Sequence, residues 1–278
     1  MQSATRWPDQ LPELWSHGAH AYDRTAERLM PQFARDALDI VELRPDDHVL
    51  DVATGTGVLA LEAAGRGSDV VAIDFAEGMI DQLQRRIRDD GIERVRPVLM
   101  DGQNLEFADG TFDLAASQFG VNLFPDRSRG FQEMYRVLRP GGRIVVVTWS
   151  AMHRVEPMFA FLEAMQAAEA GPPPWDGLPP ALSLQDPNDF IAELGDAGFD
   201  GATIHRVTHQ MTAESADSLW EELKGFIPTI TALIDALGAE QAERVGRTFI
   251  GILRERYGDG PLAMDCEGLI GVARKPRT

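Results

Sequence analysis

The residues best suited to chemistry begin at Asp51. The run Asp51-Val52-Ala53-Thr54-Gly55-Thr56-Gly57-Val58-Leu59-Ala60 reads as a short strand, a glycine turn and a helix start. Glycine admits left-handed backbone and lets a ligand approach the main chain, while free N–H groups at a helix start bind polar atoms. Gly55, Gly57 and Ala60 satisfy the G-x-G-x-x-A dinucleotide pattern. Asp74 follows Gly55 by nineteen residues, at the end of the next strand. A carboxylate there can accept from both hydroxyls of a ribose. The chemistry so far is that of holding an adenosine-containing cofactor, and NAD fits as well as any other adenosyl group.

Two further segments narrow the choice. Asp101-Gly102-Gln103 follows a third strand, where a carboxylate can accept from an adenine amine. Leu138-Arg139-Pro140-Gly141-Gly142 ends a helix and leads into a fifth strand. An NAD(P)-dependent oxidoreductase is the alternative reading. Against it, the glycine turn comes only after a long helical segment, and no Tyr-x-x-x-Lys relay appears; Tyr135 has Arg139 four residues on. A non-catalytic adenosyl-ligand-binding protein is a third reading.

The elements that must position these residues follow from periodicity. In 23–43, Leu29, Met30, Phe33, Ala37, Leu38 and Val41 recur at helical spacing. Five short apolar runs follow, over 49–52, 69–74, 95–100, 112–117 and 143–149, separated by helical patterns over 59–64, 79–88 and 127–138. Strands without clean alternation, joined by helices, predict a parallel sheet buried on both faces and a doubly wound α/β domain. After Ser150 this rhythm stops. Helices are expected over 157–170, 186–197, 216–237 and 239–257, with Pro228 kinking or splitting the third. Strands are expected over 202–210 and 268–273. The division is a single domain, 1–278, with a helical lid at 1–43 and a cofactor-binding core at 44–150. Insertions over the substrate occupy 151–195 and 213–260, and terminal strands of the core 196–212 and 261–278.

Taken in order, Asp51 to Gly57, Asp74, Asp101-Gly102, Ser117 and Leu138 to Gly142 resemble the class I S-adenosylmethionine-dependent methyltransferases. The D-V-A-T-G-T-G form is similar to that of the quinone-biosynthesis group. The resemblance covers residues 20–150 well and the C-terminal third loosely. It implies a Rossmann-like seven-stranded sheet in the order 3-2-1-4-5-7-6 with strand 7 antiparallel. It also implies S-adenosyl-L-methionine as cofactor. Asp51, Ala53, Thr54, Gly55 and Gly57 would line its methionine part and the turn, and Asp74 its ribose. Phe75 or Met79 would pack on the adenine, Asp101 and Gly102 would hold its edge, and Ser117 would face the methionine. Tyr22 resembles a lid tyrosine. Ala53 departs from the glycine, and Thr54 from the cysteine, that many members carry.

Methyl transfer is an in-line displacement at a sulfonium carbon, so positioning matters more than acid–base help. His153, just past the fifth strand, is the first candidate base, with His20 a weaker alternative. Phe119, Asn122 and Phe124 follow Ser117 and would border the methyl group; Gln118 lies beside them. Trp149 and Trp175, with Trp220 and Phe226, would suit an aromatic or lipophilic acceptor. No metal site is expected, because the only cysteine is Cys266 and the histidines lack a ligand set. O-, N- and C-methylation all stay open.

Composition bounds the partners. A net charge of −18 disfavours a phosphate backbone as ligand, and also an anionic membrane. No stretch is long and apolar enough for a membrane span. One cysteine cannot make an internal disulfide. The expectation is a cytoplasmic enzyme acting on a small-molecule acceptor, not on nucleic acid, with room for a homodimer.

Overall fold

The computed structural model describes residues 6–172, 179–225 and 227–277. Helix α1 (Pro12–Ile40) leads into the core of β1 (His48–Val52), α2 (Val58–Gly65), β2 (Asp69–Asp74), α3 (Glu77–Asp90), β3 (Val95–Leu99), β4 (Phe112–Gln118), α4 (Arg127–Val137) and β5 (Leu138–Trp149). The remainder is α5 (Glu156–Ala167), α6 (Pro187–Asp196), β6 (Asp200–Ala213), α7 (Ala216–Leu223), α8 (Pro228–Leu237), α9 (Ala239–Tyr257) and β7 (Leu262–Arg274). The strands form one seven-stranded sheet in the order β3-β2-β1-β4-β5-β7-β6. β7 runs antiparallel to both β5 and β6, and the other pairs are parallel. This is the topology that the resemblance implied.

Alternation along β5 shows why both faces are covered. Val145 and Val147 join one buried cluster with Phe33 of α1, while Ile144 and Val146 join the other with Phe131 of α4 and Phe190 of α6. Each such side chain stabilises the fold by about 1.5–3 kcal/mol when fully buried. The sheet edges are guarded differently. β3 carries Pro97, which cannot donate to an added strand. β6 alternates exposed and half-buried side chains.

Several elements are longer than periodicity predicted. α1 begins at Pro12 rather than at residue 23, with proline preset for a first helical turn. Its added length buries Ala19 against Ala76 and Met79. β5 begins at Leu138, because the Gly141 N–H donates to the Lys275 carbonyl at 2.9 Å and draws the glycine pair into the sheet. β6 and β7 continue to Ala213↔Leu262, and this extended ribbon carries α7, α8 and α9. Pro228 splits the third helical pattern, as expected, into α7 and α8. A buried Arg143–Asp47 ion pair, with Arg143 also donating to the Val41 carbonyl at 3.1 Å, ties the end of α1 to β5. Among the described residues no helix is long and apolar enough to cross a membrane.

Candidate active site

The turn after β1 is shaped by backbone that a side chain resists. Ala53, Gly55 and Gly57 have φ of 56°, 56° and 90°. Gly57 starts α2, and a Cβ there would lie 2.2 Å from Leu83 Cδ1. Gly57 therefore packs the turn onto α3 and does not line the cleft. The Thr54 hydroxyl donates to Asp51 Oδ2 at 2.6 Å. Asp74 accepts the Gly55 N–H on Oδ2 and the Ala76 N–H on Oδ1, each at 2.9 Å. Two buried carboxyls thus flank the turn. Burial pushes Asp51 up to about 7, against the pull of Thr54, and Asp74 up to about 6, against its backbone donors.

Three buried oxygens on residues of this cleft have no hydrogen-bond partner among the described residues: Asp51 Oδ1, Thr56 Oγ1 and Gln118 Oε1. Leaving such atoms unmet costs roughly 1–3 kcal/mol each. They ask for a ligand rich in donors. An adenosyl sulfonium with an α-ammonium group, a ribose diol and an adenine amine has that character, so the residues fit S-adenosylmethionine. Met79, Phe75 and Gly102 also line the cleft. Asp101 is exposed and accepts the Gln103 N–H at 2.8 Å. Gly102 leaves no room for a side chain, since a Cβ would meet Phe124 Cζ at 2.6 Å.

Helix α1 closes the cleft from above. Tyr22 meets Trp15 edge-on at 5.6 Å. Burial and the neighbouring Asp74 and Asp23 raise its hydroxyl pKa well above the usual tyrosine value. Asp23 accepts from Arg86 at 3.0 Å and Gln82 at 2.9 Å, both on α3. The Gly78 N–H donates to Ser16 Oγ at 3.1 Å.

A second cavity, of about 170 Å³, opens beside the cleft. Tyr22, Met30, Phe119 and Asp9 line both spaces. Phe119 stacks on Trp149 at 4.1 Å, with Phe33 edge-on to each. Phe119 itself has φ of 55°, a strained conformation for an aromatic residue. Most of the remaining wall is Leu, Ile, Met and Pro, with α5 and α8 contributing Pro157, Met158, Leu162, Ile230 and Leu233. Among the described residues no Lys, Arg or His lines either space.

The cavities gather most of the residues named from sequence. Tyr22, Asp51, Ala53, Thr54, Gly55, Asp74, Phe75, Met79, Asp101 and Gly102 line the cleft. Phe119, Asn122 and Trp149 line the second cavity, while Phe124 faces the cleft instead. Ser117 is not at the cleft: its hydroxyl turns back to accept the Val121 N–H at 3.0 Å and shapes the loop. The two histidines are not placed for base chemistry. The turn at 152–154 presents Met152 to the cavity and leaves His153 exposed, and His20 is exposed on α1. Trp175 and Phe226 lie outside the described residues. Trp220 is core, stacked on Phe161.

Asp9 was missed by sequence reasoning. It is 3% exposed, in a short helical turn, and its Oδ1 accepts the Thr229 N–H of α8 at 2.9 Å. The only local signal is an acid set between Trp7 and Leu11 in an apolar context. Met30 and Trp15 were also unassigned to the site.

The sequence model of the ubiE/COQ5 methyltransferase family matches residues 19–166. A demethylmenaquinone methyltransferase from Beutenbergia cavernae is 32% identical over 224 residues, covering 74% of this chain and 89% of that protein. A ubiquinone/menaquinone biosynthesis C-methyltransferase UbiE from Geotalea daltonii is 37% identical over 120 residues, covering 42% of this chain; the chain spans 51% of its length. Among solved structures, the [4+2]-cyclase SpnF superposes with a TM-score of 0.62 over 99% of this chain and 98% of its own. At 17% identity that likeness speaks to the fold alone. The oxidoreductase reading of the glycine turn is not favoured by these relatives. The motif order, the orphaned acceptors of the cleft and these relatives agree: the chain belongs to the ubiE/COQ5 methyltransferase family, S-adenosylmethionine-dependent enzymes that methylate small molecules.

Proposed function

We propose that the acceptor is a hydroxylated aromatic ring with an apolar substituent, of the quinone class named by the relatives, taken in its reduced form and methylated on a ring carbon. The observation that carries this reading is the second cavity. Its walls are apolar, the Phe119–Trp149 pair offers a flat face to a ring, and Phe119 borders the cofactor cleft as well. Its polar lining includes acceptors, the Asp9 carboxylate and Asn122 Oδ1, and Oδ1 is buried without a partner. Hydroxyls can donate to such atoms, whereas quinone carbonyls cannot. With no cation lining the cavity, a carboxylate or phosphate acceptor would be desolvated without compensation. The same reasoning, with the −18 charge, sets nucleic acid aside as acceptor.

S-adenosylmethionine supplies a methyl group on a sulfonium sulfur. The protein's part is to align the ring carbon with that methyl group and exclude water. Holding two reactants in line accounts for about 7–11 kcal/mol of the barrier in favourable cases. Asp74 and the turn at 53–57 fix the cofactor, Phe119 and Trp149 fix the ring plane, and α1 covers both.

The test is turnover under anaerobic conditions with 1,4-dihydroxynaphthalene, 1,4-naphthoquinone, an aromatic amine and a fatty acid. Product would be read by mass spectrometry and the methyl position by NMR. Ring-carbon methylation of the dihydroxy compound alone is expected. Methylation confined to the amine or the acid would sink the reading.

A further inference from the structure

We propose that Asp9 is the base that takes the proton of the acceptor's hydroxyl, and that Asn122 Oδ1 receives the hydrogen bond of a second hydroxyl. The assignment rests on the acceptor reading above and adds to it the residue that does the chemistry.

Placement comes first. Asp9 lines both the cofactor cleft and the acceptor cavity, and among the described residues it is the one carboxylate in the acceptor cavity. It sits in the short turn Pro8–Gln10 ahead of α1, not at the strand ends. The lid turn is held firmly. Trp15 Nε1 donates to the Asp9 carbonyl at 2.9 Å, and Gln10 Nε2 donates to the Leu123 carbonyl at 3.2 Å. The second bond seats the Asp9 segment beside Asn122, the neighbour of Leu123. Asn122 Nδ2 donates to the Ala181 carbonyl at 3.1 Å, which leaves Oδ1 as the buried, unmet acceptor.

Chemistry follows from that placement. Asp9 accepts one N–H, from Thr229, and a carboxylate has about four acceptor sites. Burial in the apolar wall pushes its carboxyl above the ordinary range, and the hydrogen bonds from Thr229 pull it part of the way back. A base whose affinity for protons is raised serves better than an exposed aspartate. The O–H bond breaks, its proton passes to Asp9, and its electron pair enters the ring. As the ring carbon bonds to the methyl carbon, the C–S pair stays on sulfur. The hydrogen displaced from that ring carbon leaves as a proton to water, and the ring regains aromaticity.

Other titratable groups facing this space are few. Tyr22 comes from α1, Asp51 and Asp74 from the ends of β1 and β2, Asp101 from the loop after β3, and Cys266 from β7. Burial pushes the Cys266 thiol up to about 12, and Tyr22 is also raised, so neither carries a negative charge near neutrality. A purely structural role for Asp9 is the rival: its bond to Thr229 serves the first turn of α8, whose own cap residue Ile227 supplies no side-chain acceptor.

Asp9→Asn separates the two, because its amide oxygen can still accept the Thr229 N–H. With 1,4-dihydroxynaphthalene, D9N should lose about 10²–10⁴ in kcat at pH 7. Its activity should climb toward pH ~10, where a phenolic hydroxyl ionises unaided. Binding of 1-naphthol, with S-adenosylhomocysteine kept saturating at every pH, gives a readout without turnover. Wild-type affinity should fall on acidification as Asp9 protonates, and D9N affinity should stay flat. Asp9→Glu guards against a folding defect: it restores a carboxylate and should recover the acid limb of both profiles. Wild-type kcat and pH profile in D9N, or equal loss in D9N and D9E with the limb unmoved, would overturn the assignment. Wild-type protein that neither binds 1-naphthol nor methylates the dihydroxy compound would overturn the acceptor reading itself, and is told apart because it appears without any substitution.

Discussion

At the residue scale the site is a set of acceptors waiting for donors. Asp51 and Asp74 are buried carboxyls raised to about 7 and about 6. An ammonium or ribose hydroxyl prefers them ionised, so cofactor binding must expel any proton they hold. S-adenosylhomocysteine affinity should therefore fall as pH drops from 8 to 5, by up to about tenfold per unit below about 7 for a proton expelled from Asp51 and below about 6 for one expelled from Asp74. Asp74→Ala should weaken binding by about 100-fold at pH 8, the loss of roughly two charge-assisted hydrogen bonds, and should blunt the acid limb. Calorimetry across pH checks both, and a flat wild-type profile would remove Asp74 from the ribose role. The sign is opposite for the cofactor-free fold. Carboxyls raised above their unfolded value near 4 contribute stability below that value, and lose it as pH rises through 6 and 7.

At the element scale the lid matters as much as the glycine turn. α1 approaches α3 so closely that a Cβ on Gly78 would lie 2.4 Å from the Ser16 carbonyl oxygen. Backbone cannot move aside as a flexible side chain can. Gly78→Ala should cost about 1–3 kcal/mol and lower the melting temperature. It should also weaken S-adenosylhomocysteine binding, because Tyr22 rides on the displaced helix. A melting temperature within a degree of wild type would show that the helices are not in firm contact. The β-turn-α unit was legible because its contacts are local: strand, left-handed turn and helix start follow one another within ten residues. The lid's first half was not legible, because Trp15 and Ala19 acquire meaning only against Ala76 and Met79. Ser117 stands off the cleft lining for a related reason. Its hydroxyl found a nearer donor in Val121, and the loop curled over it.

At the scale of the whole molecule, two cavities meet at a shared wall of Tyr22, Met30, Phe119 and Asp9. S-adenosylhomocysteine at 100 times its Kd should stabilise the fold by about 2.7 kcal/mol through mass action, and NAD at the same concentration should not. A thermal shift assay reads this directly, and stabilisation by NAD alone would contradict the orphaned-acceptor fit. The net charge of −18 agrees with a cavity that no Lys, Arg or His lines among the described residues.

Sequence by itself determined the cofactor half of this protein. The glycine turn, Asp74 and Asp101 lie at strand ends whose order the motifs dictate, and local spacing is enough to place them. The acceptor half was decided by tertiary structure. Burial of apolar surface is non-directional, so apolar spacing in α5, α8 and the lid says that these segments are covered, not which of them meet. His153 stood in the right part of the chain and faces solvent. Asp9 stood in an unpromising one, and reaches the acceptor cavity because folding brings it against Thr229, 220 residues away.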